Sequence, residues 1–112
     1  MADDHIFQMA EILMADAAED YVGLWQLVNR TTRVLGSEDE ALVIKDTLLL
    51  VRELLSRGLV AGDLAESGGF DAWANQSPDY VVSRIEAEWK AISGPPDIGD
   101  ICWFDRPKAS RP

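Results

Sequence analysis

The chain has 112 residues, 20 of them acidic and 10 basic, for a formal charge of −10 near neutral pH. That length suits one domain, large enough to bury about two-thirds of its unfolded surface without disulfides or metals, and 47% hydrophobic against 27% charged residues excludes general disorder. Phosphate binding draws on clustered Lys and Arg, so the acid excess argues against DNA, while it suits a basic protein partner or plain solubility.

Asp3, Asp4, Glu11, Asp16, Glu19 and Asp20 crowd the first 20 residues without a single Lys or Arg. With no positive n-region the stretch does not read as a signal peptide, and no segment approaches the roughly 18 apolar residues of a membrane span. The single Cys102 can form no internal disulfide. A cytoplasmic protein without membrane contact is the expectation. Ile6, Ala10, Leu13, Ala17, Tyr21, Leu24 and Val28 recur every three or four residues, the spacing of one helical face. They fit one long helix or two. Two are expected: an N-terminal segment over 1–18, and a helix over 21–35 capped by Asp20 and ended by Gly36. Phe7, Met9, Ile12 and Met14 widen the first segment's apolar face, which fits a core helix or a dimer contact, core being the simpler reading.

The region 37–64 is the centre of the chain. Ser37 and Glu40 have the spacing of a capping box, and Glu38, Asp39 and Glu40 favour the positive end of the helix dipole. Gly58 stops the helix. Ala41, Ile44, Leu48, Val51 and Leu55 predict its buried stripe, widened by Leu42, Val43, Leu50 and Leu54. The opposite arc holds Lys45, Asp46, Arg52, Glu53 and Ser56, with Leu49 alone among them. Residues 59–64, bounded by glycine, predict a strand. Residues 65–76, with Gly68-Gly69 and Asn75, predict a loop pinned by Phe70 and Trp73. Ser77-Pro78 opens a helix over 77–92, with Ser77 as N-cap, Pro78 at the first helical position and Val82, Ile85, Trp89 and Ile92 as its buried stripe. Glu86 and Lys90 pair one turn apart. Residues 97–100 predict a turn, 101–104 a paired strand, and 106–112, with two prolines, a disordered tail.

The junction Leu54-Leu55-Ser56-Arg57-Gly58-Leu59-Val60 resembles the passage from recognition helix to first wing strand in winged-helix regulators. This resemblance implies a mostly helical α+β fold, one winged-helix-like domain over 1–105, with a two-stranded wing (59–64 and 101–104) and an inserted helix (77–92). The chain departs from a DNA-reading member in two ways. Its central helix sets Lys45, Arg52 and Arg57 against five acids, and no Gly or Pro within 41–57 marks a turn between second and third helices. The chain is also similar to small acidic actinobacterial proteins, which implies no mechanism.

No catalytic constellation, cofactor loop or metal motif stands out. His5 is the only histidine, poor material for a triad or a metal site. Cys102 sits in an apolar strand, where cysteine acts as a small hydrophobe. Glu86 and Glu88 are two apart on a helix, hence on different faces. Gly68-Gly69-Phe70-Asp71 lacks the strand and helix that a phosphate cradle needs. Trp25 and Trp89 lie on helical stripes, whereas Trp73 and Trp103 could line a groove, although core contact is the simpler reading for large aromatics. Lys45, Leu49, Arg52, Trp73 and Trp103 therefore form the candidate interaction surface. The expectation is a non-enzymatic protein-interaction module, with a basic protein or a second copy as partner. Two alternatives stay open: an immunity protein neutralising a basic toxin, and a DNA-binding regulator.

Overall fold

The computed structural model of the chain describes residues 2–37, 39–92, 94, 96, 97 and 100–107. The fold is α+β, with elements in the order α1 (Ala2–Glu19), β1 (Val22–Gly23), α2 (Leu24–Leu35), α3 (Glu40–Ser56), β2 (Val60–Leu64), β3 (Phe70–Ala72), α4 (Pro78–Ala91) and β4 (Trp103–Asp105). The strands form one antiparallel sheet in the order β1-β4-β2-β3. One core joins it to the helices. Ile6, Ala10, Leu13 and Ala17 of α1 meet Leu24, Leu27 and Val28 of α2, Leu50, Val51 and Leu54 of α3, Val81, Ile85 and Trp89 of α4, and Val22, Ala61 and Phe104 of the sheet.

The N-terminal region is two helices, as expected, but the second begins at Leu24 rather than at residue 21. Asp20 does not cap it: its Oδ1 accepts the N–H of its own neighbour Tyr21 at 2.7 Å. Val22 and Gly23 instead pair with Phe104 and Trp103, and Leu24 N–H donates to the Cys102 carbonyl at 3.1 Å. A two-residue strand has no periodicity to read, so only its distant partner reveals it. Gln26 then reaches back, its Oε1 accepting Gly23 N–H at 2.8 Å, which satisfies an amide at the helix start. Gly36 ends α2 in the left-handed conformation, φ 65°, as a helix stop does.

The start of α3 also shifts. Asp39 rather than Ser37 is the cap, its carboxylate accepting Ala41 N–H at 3.0 Å and Leu42 N–H at 3.3 Å, while Ser37 Oγ accepts Asp39 N–H at 3.1 Å. A charged acceptor at the positive helix end gains from the dipole as well as from the hydrogen bonds. The turn between α2 and α3 thus falls at 36–39, ahead of the stretch 41–57 where none was legible. The buried face of α3 is Val43, Thr47, Leu50, Val51 and Leu54, rotated by roughly a quarter turn from the expected stripe at 100° per residue. Ile44, Leu48 and Leu55 are half-buried at its flank, and Ala41 is exposed. Contacts with α1, α2 and α4 together set this rotation.

Residues 59–64 form β2 as expected, but 65–76 is not all loop, because Phe70–Ala72 pairs back as β3. Ala65 N–H donates to the Gly69 carbonyl at 2.7 Å and Gly68 N–H to the Ala65 carbonyl at 2.8 Å, so the glycines close a hairpin. Gly62 is obligatory there: a Cβ would lie 2.3 Å from the Asp71 carbonyl oxygen and 2.7 Å from the Phe70 ring. Ser77 stands at the N-cap of α4 with Pro78 behind it, yet its hydroxyl makes no capping bond; its own N–H donates to Asn75 Oδ1 at 2.9 Å. Val81, Val82, Ile85 and Trp89 are the buried stripe of α4.

Residues 101–104 meet 59–64 as expected, in the register Val60↔Asp105, Ala61↔Phe104 and Gly62↔Trp103. The strand starts only at Trp103, because Ile101 sits at φ 70°, a left-handed conformation costly for a β-branched residue. Of the turn over 97–100, Asp100 N–H donates to the Asp97 carbonyl at 3.0 Å, and residues 98 and 99 lie outside the described set. Of the tail, Arg106 and Pro107 are half-buried and Arg106 Nη1 donates to the Met14 carbonyl at 3.2 Å; residues 108–112 lie outside the described set.

Candidate interaction surface

The outward strip of α3 carries Ala41, Lys45, Leu49, Arg52 and Ser56, all exposed and spaced by fours and a three, so they lie along one line of the helix. α4 packs beside this strip and leaves a groove of about 540 Å³ between the two helices. Half-buried Ile44 and Leu48 give it an apolar lining, with Lys45, Arg52, Lys90, Glu40 and Glu86 among its polar residues. Leu49 is 40% exposed. On its other side a second depression, about 250 Å³, is lined by Ile6 and Phe7 of α1 together with Glu53, Ser56, Leu49 and Arg52. Leu49 and Arg52 belong to both hollows and form the ridge between them.

Arg52 Nη2 lies 2.8 Å from Asp79 Oδ1 on α4, with side chains 45% and 87% exposed. At that exposure the bridge adds little stability, but it draws Arg52 toward α4. Glu86 and Lys90 pair at 3.5 Å as expected. Lys45 makes no ion pair among the described residues and stands as an open cation on the ridge. Its neighbours in space were not all legible. Phe7, 46% exposed, read in the sequence only as part of a broad apolar face, and the strip Asp4, Phe7, Glu11 was the signal for an outward line on α1.

The other two expected surface residues lie elsewhere. Trp73 is buried, only 6% exposed, with its indole Nε1 donating to Asp63 Oδ2 at 3.0 Å and the Arg84 guanidinium 3.8 Å from its ring centroid. Arg84 Nε donates to Glu88 Oε2 at 2.8 Å, and chiefly this bond raises the arginine's pKa, against a smaller effect of burial. The stack ties the β2–β3 hairpin to α4, which is a structural task. Trp103 is half-buried on the sheet, and a Cβ at Gly23 would meet its ring at 3.4 Å. Near it Tyr21 stacks on Phe70, centroids 5.4 Å apart. Neither tryptophan lines the α3 groove.

His5 Nε2 lies 3.4 Å from Asp46 Oδ2, a tie between α1 and α3. Cys102 is buried, and burial first, then the nearby Glu88 and Asp63 charges, push its thiol far above the usual range, the reverse of what a nucleophile needs. Among the described residues no group of three or more His, Cys, Asp or Glu is placed to hold a metal ion. No family model, curated protein or solved structure matches the chain.

Proposed function

We propose that this chain is a non-enzymatic protein-interaction module of winged-helix-like build that docks its partner on the exposed face of α3. The observation that carries the reading is the apolar ridge at Leu49, flanked by two hollows and topped by the unpaired Lys45. Isolated exposed leucines are ordinary, but one that joins two concave apolar surfaces has the form of an interface centre. The winged-helix likeness is supported by connectivity: three helices with a short strand after the first, and β4 lying between β1 and β2. β3 and α4 are then the insertion between the wing strands. In this arrangement α3 stands where a recognition helix would. Its outward charge is balanced by Glu40, Glu53 and Asp79, and α4 covers one flank, so phosphate contact is disfavoured.

A second reading, neutralisation of a basic protein, is favoured by a depression of about 390 Å³ beside the end of α1, lined by Glu19, Asp20, Tyr21 and Asp105. We place the protein in the cytoplasm, which agrees with its lone buried thiol; among the described residues no helix is long and apolar enough to cross a membrane. The test is affinity capture with tagged wild type, Leu49→Lys and, as a control on α2, Val34→Lys. A partner kept by wild type and Val34→Lys but lost with Leu49→Lys supports the α3 surface, and equal retention by all three removes it. Specific duplex DNA binding tighter than about micromolar, the limit of ordinary non-specific affinity, would overturn the class.

A further inference from the structure

We propose that the hollow between the C-terminal half of α1 and the outer face of α2 binds a free α-amino acid with an apolar side chain, in its zwitterionic form. The site shares no residue with the α3 strip and does not depend on what docks there. It measures about 190 Å³, with Leu13 and Asp16 of α1 on one side and α2 on the other. Of the described Lys and Arg side chains, Arg52, Arg57, Arg84 and Lys90 are held in ion pairs, and Arg106 is held by the Met14 carbonyl. Arg30 and Arg33, like Lys45 on α3, have no such partner among the described residues, although the chain carries 20 acids. Both line this one hollow, a turn apart, where their like charges repel. α2 has no acid of its own to offset them.

Across the hollow stands Asp16, exposed and, among the described residues, in no ion pair with either arginine. Opposite charges that line one hollow without meeting suit a molecule that carries both signs. Two amides add donors to the cationic wall. Gln26 Oε1 accepts Gly23 N–H at 2.8 Å, so Gln26 Nε2 keeps its two N–H groups for another acceptor, and Asn29 lies exposed one turn before Arg33. The apolar walls are the half-buried Trp25 and the buried Leu13. An α-amino acid matches each part: its carboxylate takes the guanidinium forks of Arg30 and Arg33, its ammonium faces Asp16, and its side chain lies against Trp25 and Leu13. A simple anion would instead face Asp16 across the hollow. A cavity of about 150 Å³ holds benzene, so this hollow admits a molecule of roughly ten non-hydrogen atoms, the size of valine, leucine or methionine.

The experiment is a titration of wild type with L-valine, L-leucine and L-methionine followed by heteronuclear NMR, reading the Trp25 indole N–H and the α2 amides. At least one of the three should shift those signals saturably with a Kd of about 1 mM or below, an affinity within reach of so few atoms. The N-acetyl derivative of that amino acid, which lacks the ammonium, and its amide, which lacks the carboxylate, should each bind at least about tenfold more weakly. Asp16→Asn should erase the preference for the amino acid over its N-acetyl form, and Arg30→Gln/Arg33→Gln the preference over its amide, with circular dichroism confirming that each variant is folded. No saturable shift with any of the three up to about 20 mM overturns the proposal. So does equal binding of either derivative, or a response centred away from α2. The derivatives are compared on wild type, so a variant that unfolds leaves the proposal decidable.

Discussion

Leu49 and Leu50 are adjacent in sequence and opposite in setting, which makes them a direct test of the α3 surface. Leu50 is fully buried and Leu49 is 40% exposed. Full burial of a leucine side chain is worth about 1.5–3 kcal/mol, of which Leu49 realises only part, and the methylenes of a lysine there can keep much of the contact while its ammonium reaches water. Leu49→Lys should therefore cost about 0.5–1 kcal/mol, little more than an ordinary surface change. Leu50→Ala should cost about 3 kcal/mol, from lost burial plus a cavity left in the core. With a urea slope near 1.5 kcal/mol/M, the midpoints should fall by roughly 0.5 M and 2 M. The unfolding curves are recorded at one low protein concentration, because any self-association would add apparent stability as concentration rises. A Leu49→Lys midpoint as low as that of Leu50→Ala would mean a charge had entered an enclosed apolar contact. The ridge would then be interior, and docking on α3 would fall with it.

Gly62→Ala should destabilise by about 2 kcal/mol in denaturant titration, since the new methyl meets strand backbone that cannot yield without moving the hairpin, whereas Gly69→Ala, with only Ser67 Oγ at 3.9 Å, should stay within about 0.5 kcal/mol. Asp39→Ala should cost about 1 kcal/mol and Ser37→Ala a few tenths, a ranking that thermal melts can check, because only Asp39 caps two α3 amides. Cys102 keeps its proton in the fold while the unfolded thiol ionises near pH 8.5, so stability should decline as pH rises above about 8.5, by at most about 1.4 kcal/mol per unit. The stability contributed by this group is thus fully present below that pH. Cys102→Ala should lose this part of the alkaline slope, and an unchanged slope would refute the assignment.

Several features were legible in local sequence because their causes lie within a few residues of their effects. Gly36 and Gly58 stop helices through backbone freedom at one position, Ser77-Pro78 opens α4 through a fixed proline φ, and the glycine-bounded run 59–64 could be nothing longer than a strand. The pairing of β2 with β4 was readable because both runs are apolar enough to demand partners. Other features depend on atoms far away in sequence. β1 and β3, two and three residues long, exist only through ladders to Phe104 and to Gly62, so no pattern within them announces them. The cap of α3 was ambiguous among Ser37, Asp39 and Glu40, and hydrogen-bond geometry chose Asp39. The axis of burial on α3 was blurred by apolar residues around most of its circumference, and three packed neighbours rather than summed hydrophobicity turned it toward Thr47 and Leu50. Leu49 on a polar arc was visible from spacing alone, but that Phe7 shares its surface, and that Trp73 is held inside by Asp63 and Arg84, came from how α1, the hairpin and α4 close around the core: side-chain spacing orders residues along one element, and only packing decides which elements meet.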